Sequence, residues 1–458
     1  MFKKVLVANR GEIAVRIIRT LKEMGITAVA IYSTADRDSL HVQLADEAVC
    51  VGGPRTKDSY LNMKNILAAA VGTGAEAIHP GYGFLSENAE FARLCEACGI
   101  TFIGPRPATI DLMGNKEHAR EQMKKAGVPV IPGSDGYVNR VTDAHLIAKQ
   151  LGYPVLLKAA AGGGGKGIRR VASPAELQEV FAQAQQEARV SFGDDRMYLE
   201  KIITDVKHIE VQVFRDQAGH VLYFPERDCS IQRNKQKVIE ESPCQLVTPA
   251  QRQALGELAV KAVTALDYVN TGTLEFLMDR AHHFYFMEMN TRIQVEHTIT
   301  EMVTGLDLVK MQVQVAAGAD LPVRQAQVQM QGHALECRIN AEDVRHHFRP
   351  STGVVEDLYL PVGNLGTRID TALYPGAMIS PYYDSMIAKV VAYGEDRTAA
   401  VAKMRRLLQE MVISGVATNQ AFHLAILQNA GWLSGQATTN FLEQTVLPAW
   451  KEENDEAL

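Results

Sequence analysis

The sequence predicts a multidomain protein of α/β and α+β class whose N-terminal part is built on a parallel sheet. Three observations carry this. The buried-strand run Val5-Leu6-Val7-Ala8-Asn9, a helical pattern through Ile13, Val15, Ile17, Ile18 and Leu21, and a second run Ala28-Val29-Ala30-Ile31-Tyr32 follow one another. Such a strand–helix–strand unit feeds a parallel pair. Further on, His208 to Phe214 alternates strictly and turns at Gly219-His220 into Val221-Leu222-Tyr223-Phe224, an antiparallel meander. Finally, 458 residues with 47% hydrophobic and 22% charged content are ordinary for a globular protein. That length has room for about two to four structural units.

Taken in order, the first strand–helix turn holds one glycine, Gly11, where a dinucleotide fingerprint needs three, so it carries no dehydrogenase reading. Ala77 to Asn88 reads as a strand end, the glycine-rich turn His79-Pro80-Gly81-Tyr82-Gly83 and a helix cap. In the helix that follows, Phe91, Leu94, Cys95 and Cys98 share a face. Cys95 and Cys98 have C-x-x-C spacing, but no second pair completes a zinc site, and core cysteines are expected. Asp111 to Lys116 opens a long helix that Val128 to Gly133 breaks.

The strand Tyr153 to Lys158 runs into Ala159-Ala160-Ala161-Gly162-Gly163-Gly164-Gly165-Lys166-Gly167-Ile168. Consecutive glycines let backbone N–H groups approach an anion closely, and Lys158 and Lys166 add charge. No Gly-Lys-Ser/Thr follows, so this is not a Walker A loop. Set between a buried strand and Arg169-Arg170-Val171, it reads as a mobile phosphate-covering lid rather than a linker. Met197 to Ile203 is a further strand, and the polar block Glu226 to Lys237 by itself reads as a solvated loop. Helices are expected from about Pro249 to Leu266, from Thr300 to Val315 and from Thr398 to Met411. A strand-rich region starting at Ala334 separates the last two, and the acidic tail Lys451 to Leu458 is expected to be disordered.

The densest chemistry lies in a hairpin. Thr273 to Met278 and Phe284 to Asn290 flank the turn-like Asp279-Arg280-Ala281-His282. Alternation puts Phe284, Phe286, Glu288 and Asn290 on one face and Tyr285, Met287 and Met289 on the other. The pairing brings Glu275 near Glu288, with Asn290 two positions on. Two carboxylates and an amide oxygen are hard ligands suited to Mg²⁺ held together with nucleotide phosphates. Directly behind them stand a guanidinium fork, an amide and a carboxylate: Arg292, Gln294 and Glu296. A charged, solvated edge strand does not need this pattern beside such apolar neighbours.

Composition excludes other classes. A net charge of −6 leaves no basic footprint for nucleic acid. The chain has no apolar run of transmembrane length, and Met1-Phe2-Lys3-Lys4-Val5 leads into a strand rather than a signal segment. Six cysteines over this length make no disulfide framework, which points to a reducing cytoplasm.

With the glycine–lysine loop, the set Glu275, Glu288 and Asn290, and Arg292-x-Gln294-Val295-Glu296-His297 together, the chain resembles the ATP-grasp enzymes, and among them biotin carboxylase, the ATP-dependent subunit of acetyl-CoA carboxylase. Ala8-Asn9-Arg10-Gly11-Glu12-Ile13-Ala14, His79-Pro80-Gly81-Tyr82-Gly83, Glu226-Arg227-Asp228-Cys229-Ser230 and Tyr382-Tyr383-Asp384-Ser385-Met386 extend the resemblance from Val5 to about residue 446. It implies an N-terminal Rossmann-like domain over 1–113, an ATP-grasp domain over 114–330 with a glycine-rich lid at about 131–203, a C-terminal biotin carboxylase domain over 331–446, and the tail 447–458. It also implies sites. Lys116, Lys158, Gly164 and Gly165 would contact phosphates; Glu200, Lys201, Ile202 and Ile203 would hold adenine; His208, Gln232 and Lys235 would line the nucleotide. Glu275, Glu288 and Asn290 would take Mg²⁺ or Mn²⁺. Lys237, Arg292, Gln294 and Val295 would cradle bicarbonate, with Glu296 as general base and Arg338 at the biotin ureido oxygen.

The implied partners are a biotin carboxyl carrier protein, carboxyltransferase subunits and a second copy of the chain, with neither nucleic acid nor membrane. Biotinylated lysines lie between methionines in a β-turn; Lys310 and Lys403, the nearest matches, lack the preceding Met and fall in helical segments, so biotin is expected on a separate carrier. The chain departs from the family at Ala161, Lys235, Val206 and Thr298. Lys235 and Ala161 bear on nucleotide contacts, and none of the four removes a named catalytic group. Another ATP-grasp ligase, joining a carboxylate to an amine, would explain the metal set but not Arg338; a non-catalytic nucleotide-binding regulator would have no use for Glu296.

Overall fold

The computed structural model describes residues 1–160 and 167–450. Five strands, β1 (Lys4–Val7), β2 (Thr27–Ser33), β3 (Glu47–Gly52), β4 (Ala77–His79) and β5 (Thr101–Phe102), form an all-parallel sheet in the order β3-β2-β1-β4-β5. Successive residues of β1 serve opposite cores. Val5 and Val7 pack with Ile13, Ile17, Ile18 and Leu21 of the helix Gly11–Glu23, while Leu6 packs with Val29, Ile31, Ile66 and Phe91 on the other face. A parallel strand covered on both faces reads as a continuous apolar run for this reason. At the sheet's carboxyl edge Asn9 donates to the carbonyls of Pro80 and Tyr82, both at 2.7 Å. Gly81 (φ +62°) approaches Asn9 so closely that a Cβ would lie 3.0 Å from Nδ2, which explains the glycine in this turn.

A smaller antiparallel sheet, order β7-β6-β8, is built from β6 (Val155–Ala159), β7 (Ile168–Val171) and β8 (Met197–Lys201), with the helices Val141–Leu151 and Pro174–Phe192 contributing to its core. The glycine–lysine loop joins β6 to β7. Its residues 161–166, including Gly164, Gly165 and Lys166, lie outside the described residues, as does the acidic tail 451–458.

The largest sheet has nine strands. Starting at its first edge, β14 (Phe284–Asn290) pairs β13 (Asn270–Met278), then β9 (Lys207–Arg215), β11 (Arg227–Arg233), β12 (Gln236–Ser242) and β15 (His333–Asn340), followed by Met386–Gly394 and Thr367–Thr371. The short β10 (Val221–Tyr223) lies on β9. All pairings are antiparallel, and the β12–β15 contact carries one sheet from the central third of the chain into the C-terminal third.

The structure corrects several expectations. The polar block Glu226–Lys237 is no solvated loop: it forms β11 and the start of β12, and Arg227, Asp228 and Ser230 are buried because each charge meets a partner from another strand. The alternation of β14 is broken. Glu275 pairs with Glu288 but Phe276 pairs with Phe286, so Met287 is an extra residue, a β-bulge. The bulge reverses parity, sending Phe286 and Met289 into one core and separating Glu288 and Asn290 from Phe284 and Phe286. The long helix expected after Asp111 is two helices, Pro107–Gly114 and Lys116–Lys125, because Asn115 accepts from the N–H groups of Glu117 and His118 and caps the second. The 300–315 segment is likewise two, His297–Thr304 and Leu308–Ala316, separated at Gly305 (φ +69°) and recapped by Asp307. Cys95 is a core residue but Cys98 is exposed, because it falls just past the helix end; all six cysteines are free.

Candidate active site

Three glutamates stand in a row across adjacent strands. In β13, Glu275 is the register partner of Glu210 in β9 on one side and of Glu288 in β14 on the other. Like charges at directly opposed positions repel, so the row requires cations. Lys237, from β12, places Nζ 2.6 Å from Glu210 Oε2, 3.1 Å from Glu275 Oε1 and 2.5 Å from Glu296 Oε1. Arg227 Nε contacts Glu210 Oε1 at 2.5 Å, and Lys116 contacts Glu288 at 2.9 Å. His208 Nε2 lies 2.9 Å from Glu275 Oε2, while its Nδ1 faces the Gln232 amide at 2.8 Å. Burial would depress the Lys237 ammonium, but Glu210, Glu275 and Glu296 outweigh it and hold the group well above the ordinary lysine range.

After the bulge the chain leaves β14 and turns into the helix His297–Thr304. Asn290 Nδ2 donates to Glu275 Oε1 at 2.7 Å, and Gln294 Nε2 donates to the same oxygen at 2.8 Å. Arg292 is fixed on three sides, by Glu87 Oε2 at 2.9 Å, Gln294 Oε1 at 3.0 Å and Asn290 Oδ1 at 3.3 Å. Glu296, fully buried, is the residue that precedes the helix, where the dipole favours negative charge. Its Oε1 meets Lys237, and its Oε2 accepts from Arg338 Nη2 at 2.8 Å. Burial alone would raise its pKa, yet Lys237, Arg338 and Arg227 together hold it well below the usual carboxylate range. Arg338, in β15, also contacts Glu240 Oε1 at 2.5 Å through Nε. Burial beside Glu336 and Glu296 pushes Glu240 up to about 8 despite this arginine.

His208, Gln232, Lys237, Glu275, Asn290, Arg292, Gln294, Glu296 and Arg338 therefore join one hydrogen-bonded and ionic cluster, with the Lys116–Glu288 pair beside it at the register position next to Glu275 and Val295 in the turn between Gln294 and Glu296. Two groups stand apart. Lys158 and Glu200 pair with each other across β6 and β8, with Lys201 exposed and Ile202 and Ile203 half-buried just beyond. Among the described residues neither side chain hydrogen-bonds to the glutamate row. Lys235 (φ +64°) stands exposed at the tip of the β11–β12 hairpin, so side-chain contact with the cluster is not part of this arrangement. Glu87, Glu210, Arg227 and Glu240 belong to the cluster but were not expected from sequence. Glu210 had a signal, since it shares strand parity with His208; Glu87 lies four residues past Gly83, the end of the glycine-rich turn.

The donor set suits a hard divalent cation: Glu275 and Glu288 offer carboxylate oxygens from adjacent register positions. Here those carboxylates are neutralised by Lys237 and Lys116, and a cation between them calls for the Asn290 amide turned so that Oδ1 faces Glu275.

Comparisons with known proteins identify the family. Residues 1–110 match the biotin carboxylase N-terminal domain, 115–324 the ATP-binding domain of the carbamoyl-phosphate synthase L chain, and 336–444 the biotin carboxylase C-terminal domain. "Biotin carboxylase 1" of Bacillus subtilis is 53% identical over 444 residues, covering 97% of this chain and 98% of the relative. The Campylobacter jejuni biotin carboxylase structure superposes with a TM-score of 0.92 at 47% identity, covering 97% of this chain and 99% of that one. The biotin carboxylase domain dimer of Hydrogenobacter thermophilus 2-oxoglutarate carboxylase, in complex with MgADP, ADP and bicarbonate, gives a TM-score of 0.90 at 50% identity, covering 97% and 98% of the two chains. This chain belongs to the biotin carboxylase family of ATP-grasp ligases.

Proposed function

We propose that this chain carboxylates biotin carried on a separate biotin carboxyl carrier protein, using ATP and bicarbonate, as the first half-reaction of an acetyl-CoA carboxylase that supplies malonyl-CoA for fatty acid synthesis. The observation that carries the reading is the Glu296 carboxyl group, buried between Lys237 and Arg338, with Arg292 linked to it through Gln294, Glu275 and Lys237. This is an anion site with its own base.

Bicarbonate entering beside Lys237, Arg292, Gln294 and Val295 brings a negative charge into contact with the cations that now hold Glu296. That competition raises the proton affinity of Glu296, so the carboxylate accepts the bicarbonate proton when substrate is present. The bicarbonate oxygen attacks the γ-phosphorus, the bond to ADP breaks, and carboxyphosphate forms. It separates into CO₂ and phosphate; the phosphate removes the ureido N–H proton, and the nitrogen bonds to CO₂. Arg338 holds the ureido oxygen as negative charge develops there. Glu275, Glu288 and Asn290 would hold Mg²⁺ or Mn²⁺, which supplies charge neutralisation at the phosphates. Lys116 and Lys158 would contact phosphates, with His208, Gln232, Glu200 and residues 201–203 around the nucleoside. In this reading residues 1–113, 114–330 and 331–446 are the working units, and residues 131–203 cover the nucleotide.

The related Hydrogenobacter thermophilus domain crystallises as a dimer, which supports a homodimer here. That relative serves a 2-oxoglutarate carboxylase, so in this reading the carboxyl acceptor is set by the carboxyltransferase partner rather than by this chain. No helix of the described residues is long and apolar enough to cross a membrane. ATP cleavage that requires bicarbonate, and carboxybiotin formation on added free biotin, test the proposal. ATP cleavage independent of bicarbonate, or driven instead by an amine acceptor, overturns it.

A further inference from the structure

The segments Ala8–Ala14 and Tyr382–Met386 have no part in the chemistry above, yet the structure joins them behind the anion site. Arg10 binds Asp36 through two bonds of 2.6 and 2.8 Å and lies 4.1 Å over the Tyr383 ring. Glu12, inside the first segment, meets Lys389, three residues past the second, with Lys389 Nζ 3.3 Å from Glu12 Oε2. The Lys389 side chain is 0% exposed. A buried ammonium is costly and is retained where it holds something. Its hydrogen-bond acceptor is the carbonyl of Val295 at 2.9 Å. Asp370, 4.0 Å away, already accepts from Nε and Nη2 of Arg368 at 2.8 and 2.7 Å. Lys389 is also the cross-strand register partner of Arg338. Two cations side by side on neighbouring strands therefore hold two successive residues, Lys389 the Val295 carbonyl and Arg338 the Glu296 carboxylate.

We propose that Lys389, braced by Glu12, is a positioning residue for bicarbonate: it fixes the Val295–Glu296 peptide and so sets the anion-binding turn. A trans peptide is planar, so holding the Val295 carbonyl also fixes the opposite direction of the Glu296 N–H and the Cα from which the base projects. Glu12 belongs to the N-terminal third and Lys389 to the C-terminal third, so the turn is held from both at once. The proposal rests on the reading of residues 292–296 as the bicarbonate cradle.

The test is the double variant Lys389→Met/Glu12→Gln, which removes the ammonium and the carboxyl group that faces it and keeps side-chain size. The expected result is a bicarbonate KM raised about tenfold or more, the effect of a slightly misplaced substrate, with the KM for ATP within about twofold of the parent. A purely structural role would move both constants together. A folded double variant with bicarbonate KM within about twofold of the parent, or with equal rises for ATP and bicarbonate, overturns the proposal. Should the double variant fail to fold, Glu12→Gln alone decides, with a severalfold rise in bicarbonate KM expected and no change refuting. Arg292→Ala separates the two readings. If it raises bicarbonate KM while the Lys389 variant does not, only the Lys389 role falls; if it leaves bicarbonate KM unchanged, the cradle reading falls with it.

Discussion

Replacing Glu296 by glutamine separates chemistry from folding. The carboxylate accepts from Lys237 at 2.5 Å and from Arg338 at 2.8 Å. A buried hydrogen bond to a charged group contributes about 1.5–3 kcal/mol. Glutamine is nearly isosteric, and its amide oxygen still accepts from one of the two cations. The lost charge also relieves repulsion from Glu210, Glu275 and Glu240, and Lys237 keeps Glu210 and Glu275 while Arg338 keeps Glu240. These contributions oppose one another, so the net stability change is about 2 kcal/mol at most, a shift of a few degrees in Tm. Turnover has no such compensation. Loss of a positioned base lowers it by about 10²-fold or more, equivalent to about 2.7 kcal/mol of barrier. The assay is bicarbonate-dependent ATP hydrolysis at saturating bicarbonate beside a thermal melt and an ATP-binding titration. ATP affinity should be nearly unchanged. Turnover within twofold of the parent refutes Glu296 as the base; a collapse in Tm with proportionate loss of turnover refutes the compensation argument.

Arg338→Gln should reduce biotin carboxylation by about 10²-fold while lowering bicarbonate-dependent ATP hydrolysis less than tenfold, because its charge is needed after carboxyphosphate forms; equal losses in both assays place it in the phosphate step. Burial would raise Glu301, but Arg368 at 2.6 Å and Arg16 at 3.0 Å outweigh it and hold the group at about 2. Its folded-state pKa lies below the unfolded value, so this contribution is present above pH 4.5 and is lost as pH falls toward 2. The contribution is about 3 kcal/mol. The Tm of Glu301→Gln should therefore fall less steeply than the parent's between about pH 5 and pH 3; parallel curves by circular dichroism exclude the assignment.

By itself the sequence determined the elements whose periodicity is local. The parallel opening sheet follows from β1 and β2, and the β13–β14 hairpin with its Glu275–Glu288 register follows from two strand patterns across a turn. The motifs from Arg292 to His297 announced the cluster because guanidinium, amide and carboxylate recur there at close spacing. Tertiary structure decided what depends on distant partners. A single extra residue at Met287 leaves composition unchanged but inverts strand parity, and only pairing with β13 reveals it. Arg227 reads as a solvated charge until Glu210, Gln212, Thr273 and Thr300 close around it. Lys389 and Glu12 are 377 positions apart in numbering (389 − 12) and meet only because β15 pairs with Met386–Gly394 against the helix Gly11–Glu23. A buried charge is tolerated only where a counter-charge arrives, and that arrival is a property of the fold, not of any stretch of chain.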